Sequence, residues 1–359
     1  MIKLLIVDDS ALMRRQLTMV FQAEGDFEIR QARNGVEAVA ENREFQPDVV
    51  SLDINMPEMD GITALSLLMA ERPVPVVMVS SLTEKGALAT FEALNLGAVD
   101  YITKPGGTIS LSIDEIKKEL VGKIRAAARA KLKGKGKASS VRGLADRMRA
   151  EREKAAQRPV AVRRGSVADG LVIIGVSTGG PRTLEDILPH LPADSPWPVL
   201  VAQHMPAAFT RSFAERLDEV CPLHVVEASR PMPIEPGTIY IGKGGADMVV
   251  ARRAGKLTIL PKPEMAEFLW HPSVELLGRS VIECCDLGHV VAVMLTGMGC
   301  DGADAFAEIK KLGGRTIAES EDTAVVFGMP AELIKRGGAT LVLPADGVAA
   351  QINKWMGHL

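Results

Sequence analysis

The sequence predicts two α/β domains, each built around a parallel sheet, with a basic linker between them. Apolar strand-like runs alternate with amphipathic helical segments over residues 1–122, and the same alternation returns over residues 169–359. Residues 123–168 break this pattern and are rich in lysine and arginine. Strands separated by helices favour parallel, doubly wound sheets, whose ligands bind at the carboxyl ends of the strands.

Composition narrows the possible functions. A chain of 359 residues with 47% hydrophobic content can form two or three domains with sizeable cores. Aromatic residues make up only 4%, which argues against binding single-stranded nucleic acid by base stacking. The four cysteines, Cys221, Cys284, Cys285 and Cys300, contain no C-x-x-C pair, so we expect no zinc site and a reducing compartment.

The N-terminal segment and the hydropathy pattern predict a cytoplasmic location. Asp8 and Asp9 interrupt the first apolar run too early for a signal peptide. No apolar run is long enough to span a bilayer, so we expect no direct membrane insertion.

The first domain is predicted to contain five strand–helix pairs. The predicted strands are Lys3–Val7, Glu28–Ala32, Val49–Leu52, Val76–Val79 and Tyr101–Thr103. The predicted helices are Ala11–Ala23, Val36–Phe45, Ile62–Glu71, Gly86–Leu96 and a long one from Ser112.

Polar residues follow four of these strands: Asp8 and Asp9, Asp53, Ser80, and Lys104. Because parallel strands end at one edge of a sheet, we expect these side chains to converge. Three neighbouring carboxylates repel one another unless a cation lies between them, and oxygen ligands suit Mg²⁺. A lysine beside them suits a phosphoryl group. The alternative, five unrelated solvated residues, does not explain why all of them end apolar strands.

The first domain resembles the receiver domain of two-component response regulators along its whole length. The matching residues are Asp8-Asp9, Asp53 to Pro57, Ser80 and Lys104-Pro105. The resemblance implies a flavodoxin-like fold with a five-stranded parallel sheet. It also implies a histidine kinase as the phosphodonor.

The resemblance further implies a role for each matching residue. Asp53 would be the phosphoacceptor, and Mg²⁺ would be held by Asp8, Asp9, Asp53 and the backbone carbonyl of Asn55. Ser80 and Lys104 would contact the phosphoryl group, and Tyr101 corresponds to the switch aromatic of the family.

Residues 123–168 are interpreted as a flexible linker. Basic residues far outnumber acidic ones, and glycine and serine residues at Gly134, Gly136, Ser139 and Ser140 break any continuous helix. Such a run can bind nucleic acid or anionic lipid. We favour a solvated tether, because neither a helix-turn-helix pattern nor an apolar anchor accompanies it.

The second domain again alternates strands and helices. Its predicted strands are Leu171–Ile174, Val199–Ala202, Leu223–Val226, Thr238–Ile241, Val249–Val250, Leu257–Ile259, Val290–Leu295, Thr316–Ala318 and Leu341–Val342. Its predicted helices are Arg182–Leu188, Phe209–Glu219, Ser273–Cys284, Ala303–Leu312, Met329–Arg336 and Val348–Trp355. We expect a mostly parallel, doubly wound sheet with a hairpin insertion near residues 238–260.

The segment Gly175–Pro181 carries a G-x-S-x-G pattern between a strand and a helix. Such a turn lifts the Ser177 hydroxyl clear of the backbone, and its glycines leave room for a substrate. Unpaired N–H groups at the helix start could hold an oxyanion. Phosphate binding or a plain turn is the alternative on this segment alone.

Two other strand ends supply partners for Ser177. His204 follows the strand Val199–Ala202, and Asp301 lies in the loop after Val290–Leu295. A histidine can accept the serine proton, and an aspartate can orient the imidazole and stabilise its cation. The order Ser-His-Asp differs from that of α/β-hydrolases, so that fold is not predicted. The other five histidines, including His271, are interpreted as structural, and Cys300 as a small packed or rim residue.

The second domain resembles the catalytic domain of the chemotaxis receptor methylesterase family. The signatures are Gly175–Pro181, Gln203 to Pro206 and Thr296–Gly302. The resemblance implies a phosphorylation-activated serine esterase that hydrolyses glutamate methyl esters on the cytoplasmic domains of methylated chemoreceptors and releases methanol. Many relatives also deamidate receptor glutamines. The Met298 backbone N–H, with Thr178, would contact the oxyanion, and the esterase would need no cofactor.

A response regulator with a binding output, on nucleic acid or as a scaffold, is the competing hypothesis. Neither function requires Ser177, His204 and Asp301 together. We therefore favour the esterase and expect no nucleic-acid partner.

Overall fold

The computed structural model describes residues 1–81, 83–104, 109–130 and 170–357. The chain divides into two compact units, Met1–Leu132 and Lys133–Leu359, which are described separately. Most of the basic segment lies outside the described residues, so its interpretation as a linker stays a prediction. Within the described residues, none of the helices combines the length and apolar character needed to cross a membrane.

The first unit is a five-stranded parallel sheet with helices between its strands, as predicted. The strands are β1 (Ile2–Val7), β2 (Phe27–Ala32), β3 (Val49–Asp53), β4 (Val76–Ser80) and β5 (Asp100–Thr103). The helices are α1 (Ala11–Glu24), α2 (Gly35–Glu44), α3 (Gly61–Glu71), α4 (Glu84–Leu96) and α5 (Ile109–Ala128). The strand order is β2-β1-β3-β4-β5, which places β1, β3 and β4 side by side.

Local sequence signals account for the helix ends in this unit. The Ser10 side chain accepts a hydrogen bond from the Met13 N–H and so caps α1, which ends at Gly25 in the left-handed region.

Every residue of β3 and β4 is buried, as expected for strands covered on both faces. Helix α5 continues past residue 122 to Ala128, so the predicted end of the first domain falls inside this helix.

The second unit contains a seven-stranded sheet in which every pairing is parallel. The strands of the unit are β6 (Leu171–Val176), β7 (Val199–Gln203), β8 (His224–Ala228), β9 (Met232–Pro233), β10 (Thr238–Gly242), β11 (Ala246–Arg253), β12 (Lys256–Pro263), β13 (Val290–Met294), β14 (Arg315–Glu319) and β15 (Leu341–Leu343). The sheet order is β15-β14-β13-β6-β7-β10-β8. The fully buried β6 therefore lies between β13 and β7.

Among the described residues of this unit there are six α-helices, of which five connect successive strands and the last follows β15. They are α6 (Gly180–Ile187), α7 (Ala207–Val220), α8 (Val274–Cys284), α9 (Ala303–Lys311), α10 (Met329–Lys335) and α11 (Ala345–Trp355). Two short 3₁₀ turns, Leu188–His190 and Leu287–His289, precede β7 and β13.

The hairpin insertion is present, but it begins later than predicted. Strands β11 and β12 pair antiparallel and form a separate three-stranded sheet with β9. Strand β10, which the prediction placed in the hairpin, instead pairs in parallel with β7 and β8. The two-residue β9 was not predicted, because so short a strand has no detectable periodicity.

Two glycines let α8 approach the centre of the sheet closely. A Cβ atom on Gly175 would lie 2.3 Å from Val274 Cγ1, and one on Gly302 would lie 2.2 Å from the same atom. Val274 is the first residue of α8 and is fully buried. The N-terminus of α8 is therefore packed against both β6 and the loop that follows β13.

Candidate active site and receiver site

The acidic residues of the first unit form a cluster at the carboxyl edge of its sheet. Carboxylate oxygens of Asp8, Asp9 and Asp53 lie within 4.8 Å of one another. Asp8 and Asp53 are buried, while Asp9 is exposed. Clustered carboxylates, two of them buried, suit a hard divalent cation, so the residues present are consistent with a Mg²⁺ site.

Lys104 supplies the positive charge beside this cluster. Its Nζ atom lies 3.0 Å from Asp8 Oδ2 and 2.8 Å from Asp53 Oδ2. Burial raises the pKa of Asp53 to about 6, although the hydrogen bond and charge of Lys104 act in the opposite direction. Sequence reasoning placed these residues together, and the structure brings them into contact.

The predicted switch residues lie nearby but make other contacts. The Ser80 hydroxyl is buried and donates to the Gly86 carbonyl oxygen at 3.2 Å. The Tyr101 ring is buried, and Lys123 Nζ lies 5.0 Å from its centroid and donates to the Tyr101 carbonyl at 2.7 Å. Asn55 donates its backbone N–H to Asp53 Oδ1 at 3.4 Å.

In the second unit, Ser177 is held in a turn fixed from several directions. Its N–H donates to the Thr296 carbonyl at 2.9 Å. Its own carbonyl accepts from the Gly180 N–H at 2.8 Å and from Gln203 Nε2 at 3.0 Å. Gly179 adopts a φ of 78°, a left-handed conformation that favours glycine. The turn therefore follows β6 directly and leads into α6, as the G-x-S-x-G pattern predicts.

His204 follows β7 and is bonded to Asp301. Its backbone N–H donates to the Val176 carbonyl at 3.1 Å, which ties the end of β7 to the end of β6. Its Nε2 atom lies 2.8 Å from Asp301 Oδ2. The side chain is 7% exposed, and its Nδ1 atom has no hydrogen-bond partner among the described residues. Asp301 therefore occupies Nε2, which leaves Nδ1 as the ring nitrogen open to a further partner.

Asp301 is anchored at the N-terminus of α8. It accepts backbone N–H bonds from Val274 at 2.7 Å and Glu275 at 2.9 Å, and the Ser273 hydroxyl donates to it at 3.1 Å. Burial acts to raise the pKa of Asp301, but the His204 bond and the backbone donors outweigh it and lower that pKa. The positive end of the helix dipole favours the same ionised state.

Thr296 joins the serine turn to the loop 296–302. Its hydroxyl donates to the Thr178 carbonyl at 2.9 Å and accepts from the Val326 N–H at 2.9 Å. The next residue, Gly297, lies directly against Ser177, because a Cβ atom there would be 2.8 Å from Ser177 Cβ. Thr178 is buried and Met298 is half-buried in this arrangement. The structure thus brings the two proposed oxyanion residues to the loops around Ser177.

Comparison with known proteins gives a family match for each of the two units. The CheB methylesterase family matches residues 172–352, and the response regulator receiver domain matches residues 4–113. A protein-glutamate methylesterase/protein-glutamine glutaminase of Rhodospirillum rubrum is 55% identical over 357 residues, which cover 99% of this chain and 96% of that protein. A protein of the same name from Archaeoglobus fulgidus is 43% identical over 357 residues, covering 99% and 98%.

A solved structure supports the fold of the second unit. The CheB methylesterase catalytic domain of Thermotoga maritima is 37% identical, with a TM-score of 0.50, and the match covers 54% of this chain and 100% of that one.

The chain belongs to the CheB family of protein-glutamate methylesterases/protein-glutamine glutaminases. The family, its enzyme class and the α/β fold of both units were predicted from the sequence and are confirmed.

Several residues that shape this CheB site had no assigned role in the sequence analysis. Gln203 and Thr296 lie within the family signatures, but their function as hydrogen-bonding scaffolds emerges only from the fold. Glu319, at the end of β14, is completely buried and accepts from the Thr296 N–H at 2.8 Å and the Thr323 hydroxyl at 3.0 Å. A single glutamate at a strand end gives no sequence signal for such a role. Cys300, which precedes Asp301, is exposed, so of the two alternatives predicted for it, packed or at the rim, the structure shows an exposed residue.

Replacing Glu319 by alanine is expected to lower the free energy of unfolding of the catalytic unit by about 1–3 kcal/mol. The change leaves the buried Thr296 N–H without its acceptor, and an unsatisfied buried donor costs about that amount. Urea unfolding can be followed by tryptophan fluorescence, since Trp197, Trp270 and Trp355 all belong to this unit. The exposed Asp322 provides the matched control, as Asp322→Ala should leave the unfolding curve unchanged. Equal stability of Glu319→Ala and Asp322→Ala would contradict the scaffold role.

Proposed function

We propose that this chain hydrolyses glutamate methyl esters on the cytoplasmic domains of chemoreceptors, through Ser177, His204 and Asp301, and that phosphorylation of Asp53 increases the rate. The observation that carries the proposal is the Asp301–His204 bond of 2.8 Å beside the constrained Ser177 turn. Cooperation of a serine, a buried histidine and an ionised aspartate is what acyl transfer from an ester requires.

The reaction would proceed through an acyl-enzyme. His204 Nδ1 takes the Ser177 proton as Oγ attacks the ester carbonyl, and Asp301 stabilises the resulting imidazolium. The Met298 N–H and Thr178 face the oxyanion of the tetrahedral intermediate. Collapse of that intermediate breaks the ester C–O bond, and His204 returns the proton to the departing methanol. Water, activated by the same histidine, then releases the glutamate carboxylate and regenerates Ser177.

The same residues would also deamidate receptor glutamine. The relatives are named as protein-glutamine glutaminases as well as methylesterases. Ammonia would then leave in place of methanol, with His204 again supplying the proton. The two activities would share one acyl-enzyme on Ser177.

The receiver residues would accept a phosphoryl group from a histidine kinase. Asp8, Asp9, Asp53 and the carbonyl of Asn55 would hold Mg²⁺, which when bound supplies positive charge for phosphoryl transfer to Asp53. Lys104, already 2.8 Å from Asp53, would pair with the phosphoryl charge. Ser80 would exchange its bond to the Gly86 carbonyl for one to the phosphoryl group, and Tyr101 would respond to that movement. A chemoreceptor substrate and a histidine kinase partner would both put the reaction in the cytoplasm.

Phosphorylation is expected to speed methanol release from methylated receptor by about an order of magnitude. A shift of about 1.4 kcal/mol in the equilibrium between restrained and active forms is sufficient. The rate of the full chain should rise on addition of a small phosphodonor with Mg²⁺, whereas Asp53→Ala should not respond. A fragment starting near Val167 should exceed the unphosphorylated full chain without any donor.

Each arm of this experiment tests one part of the proposal. Absence of methanol release from any form would contradict the esterase itself. A fragment no faster than the unphosphorylated full chain would contradict restraint by the receiver, which would then have to act by direct activation or substrate docking. An Asp53→Ala chain that still responds to the phosphodonor would contradict the assignment of the phosphoacceptor.

A further inference from the structure

The imidazole of His204 is stacked against the indole ring of Trp270. The two rings are stacked, with centroids 5.7 Å apart and planes inclined by only 6°. The Trp270 ring also contacts the loop 296–302, because a Cβ atom on Gly299 would lie 2.9 Å from Trp270 Cη2. One half-buried indole thus touches both the proposed base and the loop that carries the proposed oxyanion donor.

A buried carboxylate away from the triad fixes the segment that carries Trp270. Asp247, at the start of β11, is fully buried and accepts from His271 Nδ1 at 2.9 Å and from the Ser273 N–H at 2.8 Å. It also accepts from the Met265 N–H at 3.4 Å, so both ends of segment 265–273 are bonded to the same side chain. The Ser273 hydroxyl continues this network to Asp301. The position of Trp270 therefore follows from a set of buried and partly buried hydrogen bonds to one buried carboxylate.

The stacked geometry suits a histidine that changes charge during the reaction. The face of an indole carries partial negative charge and attracts a cation within about 6 Å of its centroid. The imidazole becomes an imidazolium when it takes the serine proton, so the attraction is stronger in the transition state than in the resting enzyme. Stacking also restricts rotation of the imidazole, which keeps Nε2 on Asp301 and Nδ1 as the remaining nitrogen.

We propose that Trp270 is a positioning residue of the esterase, which acts through His204 by fixing the imidazole plane and stabilising the imidazolium. The inference rests on the proposed role of His204 as general base. It adds to the triad an aromatic residue on the segment between β12 and α8.

The test compares Trp270→Leu and Trp270→Phe with the wild-type full chain in methanol release from methylated receptor, all with the same phosphodonor and Mg²⁺. Leucine keeps an apolar cover over His204 but has no aromatic face, whereas phenylalanine keeps the face. We expect Trp270→Leu to lower kcat by about three- to thirtyfold with KM within about twofold, consistent with the strength of cation–π contacts. Trp270→Phe should recover most of the loss.

The pH profile separates electrostatic positioning from a merely structural role. Loss of the aromatic face disfavours the imidazolium, so the acid limb of kcat should move to lower pH in Trp270→Leu and much less in Trp270→Phe. The charged group bonded to the imidazole is Asp301, whose lowered pKa keeps it ionised across this limb. Other titratable groups near this pair, among the described residues, include Cys300, which precedes Asp301, Glu275, whose N–H donates to Asp301, and the His271–Asp247 pair, which adjoins Trp270.

Leu269→Ala serves as the matched control, because this exposed side chain adjoins Trp270 in the same segment. It should retain the kcat and acid limb of the wild type. The inference would be overturned by an unchanged kcat in Trp270→Leu, by a rise in KM alone, or by a shift of the acid limb to higher pH. The first would show that the ring is dispensable, the second that it contacts substrate, and the third that it acts by excluding water. If the wild type itself releases no methanol, the proposed function fails instead.

Discussion

Replacement of Ser177 by alanine is expected to reduce methanol release by a factor of about 10⁴ to 10⁶. Loss of the nucleophile of a serine triad removes the covalent route altogether, and effects of this size are typical for triad members. The turn itself should survive, because the bonds that hold residue 177 use its backbone N–H and carbonyl. The measurement is single-turnover methanol release from methylated receptor, with circular dichroism to verify the fold.

The exposed Ser229 offers a control for loss of a serine hydroxyl elsewhere in the unit. Ser229→Ala should release methanol at the wild-type rate. A folded Ser177→Ala chain that retained a rate near that of Ser229→Ala would reject Ser177 as the nucleophile.

Replacement of Asp301 by asparagine is expected to reduce kcat by about 10² to 10⁴. The substitution keeps the size of the side chain but removes the charge that stabilises the imidazolium, and it disturbs the choice of imidazole tautomer. In the wild type, the Asp301 carboxylate accepts three hydrogen bonds, from Ser273, Val274 and Glu275. The amide of asparagine would direct its own N–H donors toward some of these donors. A lower stability should therefore accompany the lower rate.

The two effects of Asp301→Asn can be separated by measuring kcat well below the melting temperature of the variant. Asp322→Asn, on an exposed aspartate, controls for the loss of one negative charge. If Asp301→Asn and Asp322→Asn showed equal kcat, the His204–Asp301 bond would have no part in the chemistry.

The convergence of Ser177, His204 and Asp301 could be predicted because it depends on little beyond strand direction. Ser177, His204 and Asp301 follow β6, β7 and β13, and parallel strands deliver their carboxyl ends to one edge. The order of the chain does not show that β13 lies beside β6 in the sheet, since β13 comes much later in the sequence. The family signatures were the evidence that the loop after β13 belongs to the same site as Ser177 and His204.

The surroundings of the triad could not be predicted. Asp301 is anchored by the first turn of α8, and Trp270 is placed by Asp247, through contacts that join separate segments and leave no periodic pattern. The sequence likewise could not specify which imidazole nitrogen faces Asp301, because that depends on the angle at which β7 delivers His204.

In the receiver site, too, some contacts could be predicted from the sequence and others could not. The spacing of Asp8, Asp53 and Lys104 on apolar strands was enough to predict their contact. The direction of the Ser80 hydroxyl, toward Gly86 in α4, depends on how that helix packs against β4. Side-chain direction of this kind is a tertiary property that strand-end patterns do not encode.

The sheet order also determines when the site can exist during synthesis. Ser177 and His204 lie on consecutive strands, but the bond from His204 to Asp301 spans 97 residues, and β13 must insert beside β6 to form it. Contacts of high sequence separation form late, and a chain emerging from the ribosome folds from its N-terminal side. A nascent chain that ends before β13 has a serine and a histidine, yet it lacks the aspartate and the loop 296–302. Under the proposed mechanism, esterase activity therefore requires synthesis to continue past the loop 296–302, well into the second half of the catalytic unit.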